Sequence, residues 1–530
     1  MNSTPYEHSQ VDAGNELGRR YITDFPRVES FYGADYRTPE SLASAASRLT
    51  NRTWRSRYDR KALVAALQAY AERHPCPRAV LANIEKLRDP GTVCVVSGQQ
   101  AGLGGGPLLV LYKAMTAIRL AAEVERLVGQ PCVPVFWNAS DDSDVEEVNR
   151  IRGIGPDGRL SKFRFDIQSG RRHVRNIELP GPGDAQWEAA VAALGTGPFA
   201  SRAAVLLRDS AGRDFGSAFT RLLLELLGNR GLVVVEPVAL TAIPAWRRIH
   251  AFELEHREEN RNALRRVLDR LESQNLPPGV PVTNHLNLFV TEGGERRRVT
   301  GDGKRLLVEG REKSAATTSL LAELKANPGA FTPNVLLRPL VQNAIFPAVA
   351  YVAGQAEIAY HGLLKGLHRS ARVLMPALFP RVSMTLLAPG DVPRFDDLVA
   401  FRQRLKWKQQ EAEIASESAQ RGMETAMRDL RLGLSGLARP LEQDLQKLEQ
   451  RSGRAVADVL ARVKHDPLRL TEGGEEMLPL LNRYFPEDRP QERVWTLLGA
   501  YAKYGPRLLD AFDGVKDVFD FQHHVAVMPE

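Results

Sequence analysis

The apolar run Val93-Cys94-Val95-Val96 begins the stretch that decides the fold of this 530-residue chain. It leads into the glycine-rich turn Ser97-Gly98-Gln99-Gln100-Ala101-Gly102-Leu103-Gly104-Gly105-Gly106-Pro107 and then into an amphipathic run that ends near Leu127. A second apolar run, Val133-Pro134-Val135-Phe136-Trp137, ends in the polar segment Asn138-Ala139-Ser140-Asp141-Asp142-Ser143-Asp144. This order predicts a βαβ unit of a parallel sheet, with polar groups at the carboxyl ends of both strands. Open parallel sheets bind ligands at that edge.

The glycine-rich turn is suited to an anion. Glycine lets backbone N–H groups approach a ligand closely, and the helix that follows presents its positive end. Lys113, in the second turn of that helix, would add a positive charge, while Gln99 and Gln100 can donate or accept hydrogen bonds. The turn lacks the Gly-Lys-Ser/Thr of the Walker pattern, and Pro107 stands where the dinucleotide fingerprint needs Gly or Ala. A tight turn that binds nothing is the alternative.

The acidic segment that follows the second strand has two interpretations. Asp141, Asp142 and Asp144 would hold Mg²⁺, because this cation prefers carboxylate and water oxygens. Aspartate is also favoured at helix N-caps, so Asp141 and Asp142 would only cap a helix that begins near Val145. The two roles are compatible.

A second group of polar residues flanks the apolar run from Phe346 to Val352. Arg338 could bind a substrate carboxylate and Glu357 a substrate amine, which predicts an amino-acid site. The alternative is that Arg338 and Glu357 pair with each other. Because Arg338 precedes Pro339, the sequence also predicts extended backbone at this arginine.

Composition limits the classes of function. The 71 basic and 64 acidic side chains leave a formal net charge of +7, spread over a long chain, which argues against nucleic-acid binding. The densest basic run, Arg296-Arg297-Arg298, follows Gly293-Gly294 and is predicted to be a solvated hairpin tip.

Cys94 and Cys132 lie in apolar strands, the N-terminus has no apolar signal region and no run is long enough to span a membrane. These features predict a cytoplasmic protein without a membrane segment.

The rest of the chain predicts insertions and a helical arm. Weak patterns near residues 151–200 and short strands near 272–330 indicate two small insertions. After Pro389-Gly390, an apolar stripe at heptad spacing comprises Met423, Met427, Leu430, Leu434, Leu437 and Leu441. Gly433, Gly436 and Pro440 predict either a helical hairpin or a kinked helix there. The stripe must be buried, either within the chain or in a homodimer.

We therefore predict an α/β fold with a Rossmann-like parallel-sheet core, two small insertions and a helical coiled-coil arm. The core and its insertions would occupy residues 1–389 and the arm residues 390–478, while residues 479–530 would dock back on the core.

Blocks along nearly the whole chain resemble the cysteine-adding enzymes of bacillithiol biosynthesis. The matching blocks are Ser97-Gly98-Gln99-Gln100-Ala101-Gly102-Leu103, Gly106-Pro107-Leu108, Lys113, Pro134-Val135-Phe136-Trp137, Leu337-Arg338-Pro339-Leu340, Gln342, Pro347, Ala350-Tyr351-Val352-Ala353-Gly354, Glu357-Ile358-Ala359-Tyr360, Pro380-Arg381 and Tyr504-Gly505-Pro506. Two positions depart from the family pattern. Ser143 stands where the family usually has His, so no histidine-based step carries over to that position, and Gln355 stands where it usually has Pro.

The resemblance implies a ligase that joins L-cysteine, through its carboxyl, to the amine of glucosaminyl-malate. Amide formation from a free carboxylate is uphill in water, so ATP would activate the carboxyl through an adenylate or an acyl phosphate. The resemblance also implies a homodimer formed through the arm. The rival functions are a nucleotide-binding scaffold or sensor without turnover, and a nucleotidyl- or glycosyltransferase.

Each candidate residue then has an expected role. ATP or ADP would be bound by Ser97, Gly98, Gln99, Gln100, Gly102, Gly106 and Lys113. Substrate would be bound by Asn138, Arg338, Gln342, Glu357, Tyr360 and Arg381. The expected catalytic residues are Lys113, Asp142, Arg338 and Glu357, and the expected Mg²⁺ ligands are Asp141, Asp142 and Asp144.

Overall fold

The computed structural model describes residues 3–11, 14–155, 159–302, 305–433, 439–465 and 474–529. They form two compact units, one that extends to Leu386 and includes Arg489–Met528, and one from Leu387 to Asp488. The sequence-based boundary at residue 389 lies close to the start of the second unit, and the one at 479 lies inside it. Among the described helices, none combines the length and the apolar character that a membrane crossing requires.

The described strands are β1 (Ser3–Tyr6), β2 (Val93–Gln99), β3 (Cys132–Asn138), β4 (Ile151–Ile154), β5 (Leu160–Phe163), β6 (Val233–Val235), β7 (His285–Glu292), β8 (Glu295–Asp302), β9 (Arg305–Val308), β10 (Ala315–Ala316), β11 (Phe331–Pro333), β12 (Ala348–Ala353), β13 (Ala377–Pro380), β14 (Ser383–Leu387) and β15 (His523–Val527).

The described α-helices are α1 (His8–Val11), α2 (Glu16–Thr23), α3 (Phe25–Val28), α4 (Pro39–Thr50), α5 (Arg52–Arg55), α6 (Arg60–Ala71), α7 (Arg78–Lys86), α8 (Leu109–Val128), α9 (Val145–Val148), α10 (Gln186–Ala192), α11 (Ala200–Arg208), α12 (Phe215–Leu227), α13 (Pro244–Glu255), α14 (Arg257–Glu272), α15 (Thr317–Ala326), α16 (Arg338–Ile345), α17 (Gln355–His361), α18 (Lys365–Ser370), α19 (Val392–Gly433), α20 (Arg439–His465), α21 (Gly474–Tyr484), α22 (Gln491–Val494), α23 (Leu497–Tyr504) and α24 (Arg507–Asp513).

The central sheet has the strand order β13-β12-β2-β3-β6, and its neighbouring strands pair in parallel. The middle strands are continuous apolar runs because a parallel sheet is covered on both faces, and every residue of β3 and β12 is buried. The carboxyl ends of β2, β3, β12 and β13 therefore meet at one edge, as the sequence predicted for an α/β core. The polar segments after these strands are brought together there.

The two predicted insertions are present as separate β structures. β4 and β5 form an antiparallel hairpin within residues 151–200. β7, β8 and β9 form the predicted antiparallel meander, which β10 and β11 extend into a sheet of order β10-β9-β8-β7-β11.

The glycine-rich turn packs against the C-terminal segment of the chain. Gly104, Gly105 and Gly106 have φ values of +59°, +87° and +66°, which side chains other than glycine rarely adopt. A Cβ on Gly105 would lie 3.0 Å from Leu497 Cβ. The backbone N–H of Leu497 donates to Gly106 O at 2.8 Å. This half of the turn thus allows α23 to approach the central α/β structure closely.

The second unit contains a helical hairpin. Arg431 on α19 forms an ion pair with Glu449 on α20 at 2.8 Å, and the two helices pack against each other. On one continuous helix these residues, 18 positions apart, would lie roughly 27 Å from each other, so the hairpin alternative is correct. Leu434 and Leu437 of the predicted stripe, and Gly436 between them, lie outside the described residues. α21 packs against α19, where Arg483 pairs with Asp391 at 2.6 Å, which explains why the unit extends beyond residue 479.

Candidate active site at the carboxyl edge of the central sheet

A cavity of about 530 Å³ opens at the carboxyl edge of the central sheet. The segments after β2, β3, β12 and β13 line it, together with the second insertion and α16. Its volume is within the range typical of small-molecule sites. Its charged lining residues are Lys113, Asp141, Asp142, Arg296, Arg338, Glu357, Arg381 and Arg493.

Lys113 and Glu357 form an ion pair at the floor of the cavity. Lys113 Nζ lies 2.5 Å from the Glu357 carboxylate and also donates to Gly98 O at 2.9 Å and to Gln99 Oε1 at 2.8 Å. An ammonium group has three N–H bonds, so all of them are used within the protein. Lys113 thus joins the end of β2 to α17 and does not point a free charge at a ligand.

The pKa values of this pair reflect burial and mutual attraction. Burial alone would raise the pKa of Glu357, but Lys113 and the Gly354 N–H lower it to about 2. Burial lowers the pKa of Lys113, and the Glu357 carboxylate opposes that shift. Tyr351 also donates its hydroxyl to Glu357 at 2.8 Å. Glu357 is therefore a fixed anion at neutral pH and is a poor general base.

Arg338 also lines the cavity, but Glu357 is not its ion-pair partner. It donates to Tyr360 Oη at 2.6 Å and to Gln342 Oε1 at 3.1 Å. The prediction of extended backbone at Arg338 was wrong, because the residue begins α16 and its N–H donates to Asn334 O at 2.9 Å. Because the helix begins at Arg338, Pro339 lies in its first turn, where the missing N–H of proline is tolerated.

Asp142 is the point at which three parts of the chain meet. Its carboxylate accepts from Gln100 Nε2 at 2.8 Å and from Arg296 Nη1 at 3.0 Å. Arg296 is only 8% exposed, and its guanidinium stacks over Phe289 with Cζ 4.0 Å from the ring centroid. The prediction of a solvated hairpin tip was therefore wrong for Arg296. Arg296 turns inwards to Phe289 and Asp142, whereas Arg298 on the same strand is exposed.

The three aspartates do not converge on one point. Asp144 is exposed and caps α9 by accepting from the N–H of Glu147 at 3.2 Å, so the cap of this helix is Asp144 and not the predicted Asp141 or Asp142. Asp141 and Asp142 line the cavity, but Asp142 is occupied by its two side-chain donors. Within the described ranges, no group of three or more His, Cys, Asp or Glu side chains could hold a metal ion. The predicted three-aspartate Mg²⁺ site is thus not formed by these residues.

Asp141 has the environment of a general base. It is 5% exposed, and burial raises its pKa, while Arg296 and Arg175 oppose the rise. The backbone around it is held by the first insertion, since His173 Nδ1 lies 2.7 Å from Asp141 O and the N–H of Val174 donates to Asp142 O at 2.8 Å. A carboxylate with a raised pKa accepts protons more readily than an ordinary one at neutral pH.

The other predicted site residues divide between the cavity and its supporting structure. Gly98, Gln99, Gln100, Tyr360 and Arg381 line the cavity. Those that do not line it are Ser97, Gly102, Gly106, Asn138 and Gln342. Ser97 donates to Val352 O at 2.9 Å between two sheet strands, and Asn138 donates to Gly216 O at 2.9 Å behind the sheet. A Cβ on Gly102 would lie 2.5 Å from Gly106 Cα, so these two glycines close the turn on itself.

Glu492 is a residue that sequence reasoning missed. It is 1% exposed and forms a bidentate ion pair with Arg381, with Arg381 Nη1 donating to Glu492 Oε2 at 2.9 Å. Ser383 Oγ and the Met384 N–H also donate to it at 2.8 and 2.9 Å. Burial alone would raise the pKa of Glu492, but Arg381 lowers it to about 2. Glu492 comes from the C-terminal segment, and no local motif around it signals this role.

The charge balance of the cavity favours an anionic ligand. Five cationic side chains and three carboxylates line it, so the cations are in excess. Guanidinium groups bind carboxylates and phosphates through paired hydrogen bonds. The site can therefore hold a carboxylate or phosphate group close to a buried base.

Two models of known protein families match the chain. Residues 2–382 match the family described as "Bacillithiol biosynthesis BshC, N-terminal Rossmann-like domain", and residues 391–528 match "Bacillithiol biosynthesis BshC, C-terminal coiled-coil domain". A protein of Symbiobacterium thermophilum named "Putative cysteine ligase BshC" is 31% identical, with 92% of this chain and 93% of that protein covered. A protein of the same name from Geobacillus thermodenitrificans is 29% identical, with 97% and 98% covered. The chain therefore belongs to the BshC family of bacillithiol biosynthesis.

Proposed function

We propose that this protein is a ligase that joins the carboxyl of L-cysteine to the amine of glucosaminyl-malate and so forms bacillithiol. The observation that carries this proposal is the pairing of a cationic cavity with the buried carboxylate of Asp141 at the carboxyl edge of a Rossmann-like sheet. Membership of the BshC family and the names of its relatives support the choice of substrates. Both substrates carry carboxylates, which suits the excess of arginines in the cavity.

Asp141 would accept the proton that the substrate amine loses when it attacks the activated carboxyl. The new C–N bond forms as an oxygen of the cysteine carboxyl leaves, and the ammonium proton passes to the Asp141 carboxylate. Burial raises the pKa of this carboxylate, Arg296 and Arg175 lower it, and the neighbouring Asp142 raises it. Asp142 would act as a positioning residue, because Gln100 and Arg296 already occupy its oxygens.

Arg338 and Arg381 would bind the substrate carboxylates. Arg338 donates to Tyr360 and Gln342, and Arg381 donates to Glu492. These hydrogen bonds fix the orientation of each guanidinium. Preorganised donors of this kind lower the barrier because they need no rearrangement as charge develops. Lys113 and Glu357 would keep the floor of the cavity rigid.

The donor set of the cavity fits the phosphates of ATP or ADP. Arg296, Arg493 and the Gln100 amide would hold them, and ATP would supply the activation that makes a carboxyl oxygen a leaving group. Two carboxylates, one of them already paired, do not make a resident Mg²⁺ site, so no step is assigned to a protein-bound Mg²⁺ ion.

The test is a reconstituted reaction with matched variants of the acidic loop. Purified protein, glucosaminyl-malate, L-cysteine, ATP and Mg²⁺ are incubated, and bacillithiol is followed by mass spectrometry. Product should depend on ATP, should disappear with Asp141→Asn and should persist with Asp144→Asn, since asparagine is an equally good N-cap. Absence of ATP-dependent product from the wild-type protein would refute the ligase assignment. Equal activity of the two variants would show that Asp141 is not the general base of the reaction.

The second unit is proposed to join two copies of the chain. Its described helices expose large apolar side chains, namely Trp407, Ile414, Leu430, Leu432, Leu448 and Val459, which are 43–67% exposed. Helices that expose large apolar side chains often bury them against a partner. Light scattering should give the mass of a dimer for the wild-type protein and of a monomer for Ile414→Glu with Val459→Glu. A wild-type monomer would exclude this role.

A further inference from the structure

A series of buried hydrogen bonds leads from helix α13 to the cavity at the carboxyl edge of the central sheet. Its first member is Glu253, which is 1% exposed and accepts from the backbone N–H and the side-chain amide of Asn287 at 2.8 and 3.0 Å. Asn260 on α14 donates to the other carboxylate oxygen at 2.9 Å. Glu253 and Asn287 lie outside the lining of the cavity, so the proposed ligase chemistry gives them no direct role.

Asn287, on β7, links Glu253 to Asn334, which follows β11 and lines the cavity. Both polar ends of the Asn287 side chain are bonded, since Nδ2 donates to Glu253 and Oδ1 accepts from Asn334 Nδ2 at 3.1 Å. The backbone N–H of Asn334 also donates to Asn287 O at 2.9 Å. An amide that is bonded at both ends has one orientation, so Asn287 fixes the orientation of the Asn334 amide as well.

Asn334 holds the turn that leads into α16. Its Oδ1 accepts from the N–H groups of Leu336 and Leu337 at 2.9 and 3.0 Å, which is an Asx turn. Its backbone O accepts from the N–H of Arg338 at 2.9 Å. Arg338 is the first residue of α16, so the Asn334 amide sets the position from which the guanidinium reaches the cavity.

We propose that Asn287, held by Glu253, is a positioning residue for Arg338 and acts on it through Asn334. This role rests on the proposed function, in which Arg338 binds a substrate carboxylate. The contacts join segments that are distant in sequence, with 34 positions from Glu253 to Asn287 and 47 from Asn287 to Asn334. A guanidinium binds a carboxylate best through two aligned hydrogen bonds, so a displaced helix start would weaken binding.

The test is the affinity of the full-length protein for glucosaminyl-malate and for L-cysteine, measured by calorimetry without ATP. Arg338→Gln identifies the substrate whose carboxylate Arg338 binds, because its dissociation constant should rise by about tenfold or more. Asn287→Leu should weaken binding of the same substrate by about fivefold, since it removes the side-chain hydrogen bonds to Glu253 and Asn334. In the ligase reaction the KM for that substrate should rise equally, while kcat stays within about twofold of the wild type.

Asn260→Leu is the matched control, because Asn260 is also buried and also donates to Glu253, but from α14. It should lower the melting temperature about as much as Asn287→Leu and leave both dissociation constants within about twofold of the wild type.

Two substitutions of Glu253 provide a second comparison. Glu253→Gln keeps an oxygen that accepts from Asn287. Burial raises the pKa of Glu253 to about 7, so a neutral side chain resembles a form that is present at neutral pH. This variant should bind like the wild type, whereas Glu253→Leu should bind as weakly as Asn287→Leu.

Three results would overturn the proposal. The first is unchanged substrate binding by Asn287→Leu. The second is an equal loss of binding in Asn260→Leu, which would make the effect one of general stability. The third is an equal loss in Glu253→Gln and Glu253→Leu, because the charge of Glu253 and not its hydrogen bonds to Asn287 would then affect the substrate.

Failure of the proposed function has a separate signature. ATP-dependent product would be absent although the substrates bind, and the dissociation constants would still decide the positioning role. Unchanged binding of both substrates by Arg338→Gln would exclude Arg338 from substrate binding and would overturn the positioning role with it.

Discussion

The ammonium of Lys113 lies 2.5 Å from the carboxylate of Glu357, and this ion pair joins α8, the helix after the glycine-rich turn, to α17, the helix after β12. The two residues are far apart in sequence and both contribute to the cavity lining. The Lys113 side chain is 3% exposed and that of Glu357 is 20% exposed. Because both side chains are largely buried, removal of one partner would leave the charge of the other uncompensated.

Loss of Lys113 alone should destabilise the protein more than loss of both partners. Lys113→Met leaves a buried carboxylate and should lower the free energy of unfolding by about 3–5 kcal/mol. Adding Glu357→Gln should recover part of this loss, because the uncompensated charge is removed. Urea denaturation of the wild type, both single variants and the double variant measures the coupling. A loss in the double variant equal to the sum of the two single losses would show that the pair is not coupled.

Arg296 should be required for activity, whereas its neighbour Arg297 should not. Arg296→Gln removes the ion pair to Asp142 and a cation of the cavity, so kcat/KM should fall by about 30-fold or more. Arg297 pairs with Glu295 outside the cavity, and Arg297→Gln should stay within about twofold of the wild type. Steady-state kinetics of the two variants provide the comparison. Similar losses for both would mean that the insertion contributes only overall charge.

Glu492 should act on substrate binding through Arg381. Glu492→Gln keeps the shape of the side chain but removes the anion that orients the guanidinium, so KM for a substrate should rise by about tenfold while kcat changes less. Ser383→Ala removes a single hydrogen bond to Glu492 and should have a smaller effect on KM. Kinetics over a range of each substrate concentration separate the two parameters. An unchanged KM with reduced kcat would contradict a positioning role.

The protein should lose stability as the pH falls below about 6.5. Burial lowers the pKa of His173, His250 and His368 to about 4 and that of His361 and His523 to about 3. These residues are neutral in the folded protein, but they bind protons when it unfolds. Their contribution is therefore fully present above the unfolded pKa near 6.5 and is lost as the pH falls towards 4.

His250 offers a direct check of this dependence, because it lies outside the lining of the cavity. Its ring stacks on Trp246 and its Nδ1 lies 2.8 Å from Trp246 O. His250→Gln should reduce the slope of unfolding free energy against pH by up to about 1.4 kcal/mol per pH unit between pH 4 and 6. Urea titrations at several pH values measure it. A slope equal to that of the wild type would show that His250 does not titrate on unfolding.

Part of the candidate site could be predicted from the sequence because its residues follow the strands directly. Gln99 ends β2 and Gln100 follows it, Asp141 and Asp142 follow β3, and Arg381 follows β13. Apolar strands followed by polar residues give a local pattern, and the parallel topology brings those ends to one edge. Arg296 and Glu492 lacked such a pattern, since their partners are 154 and 111 positions away.

The sequence by itself determined the parallel-sheet core, its ligand-binding edge, the two insertions and a helical arm, because hydrophobic periodicity and glycine-rich turns are local properties of the chain. Only the tertiary structure decided which polar groups touch. It placed Gly102 and Gly106 in a closed turn, Asp144 at a helix cap, and Lys113 on Glu357. These contacts depend on long-range packing, because a buried charge needs a partner and that partner can come from a distant part of the chain.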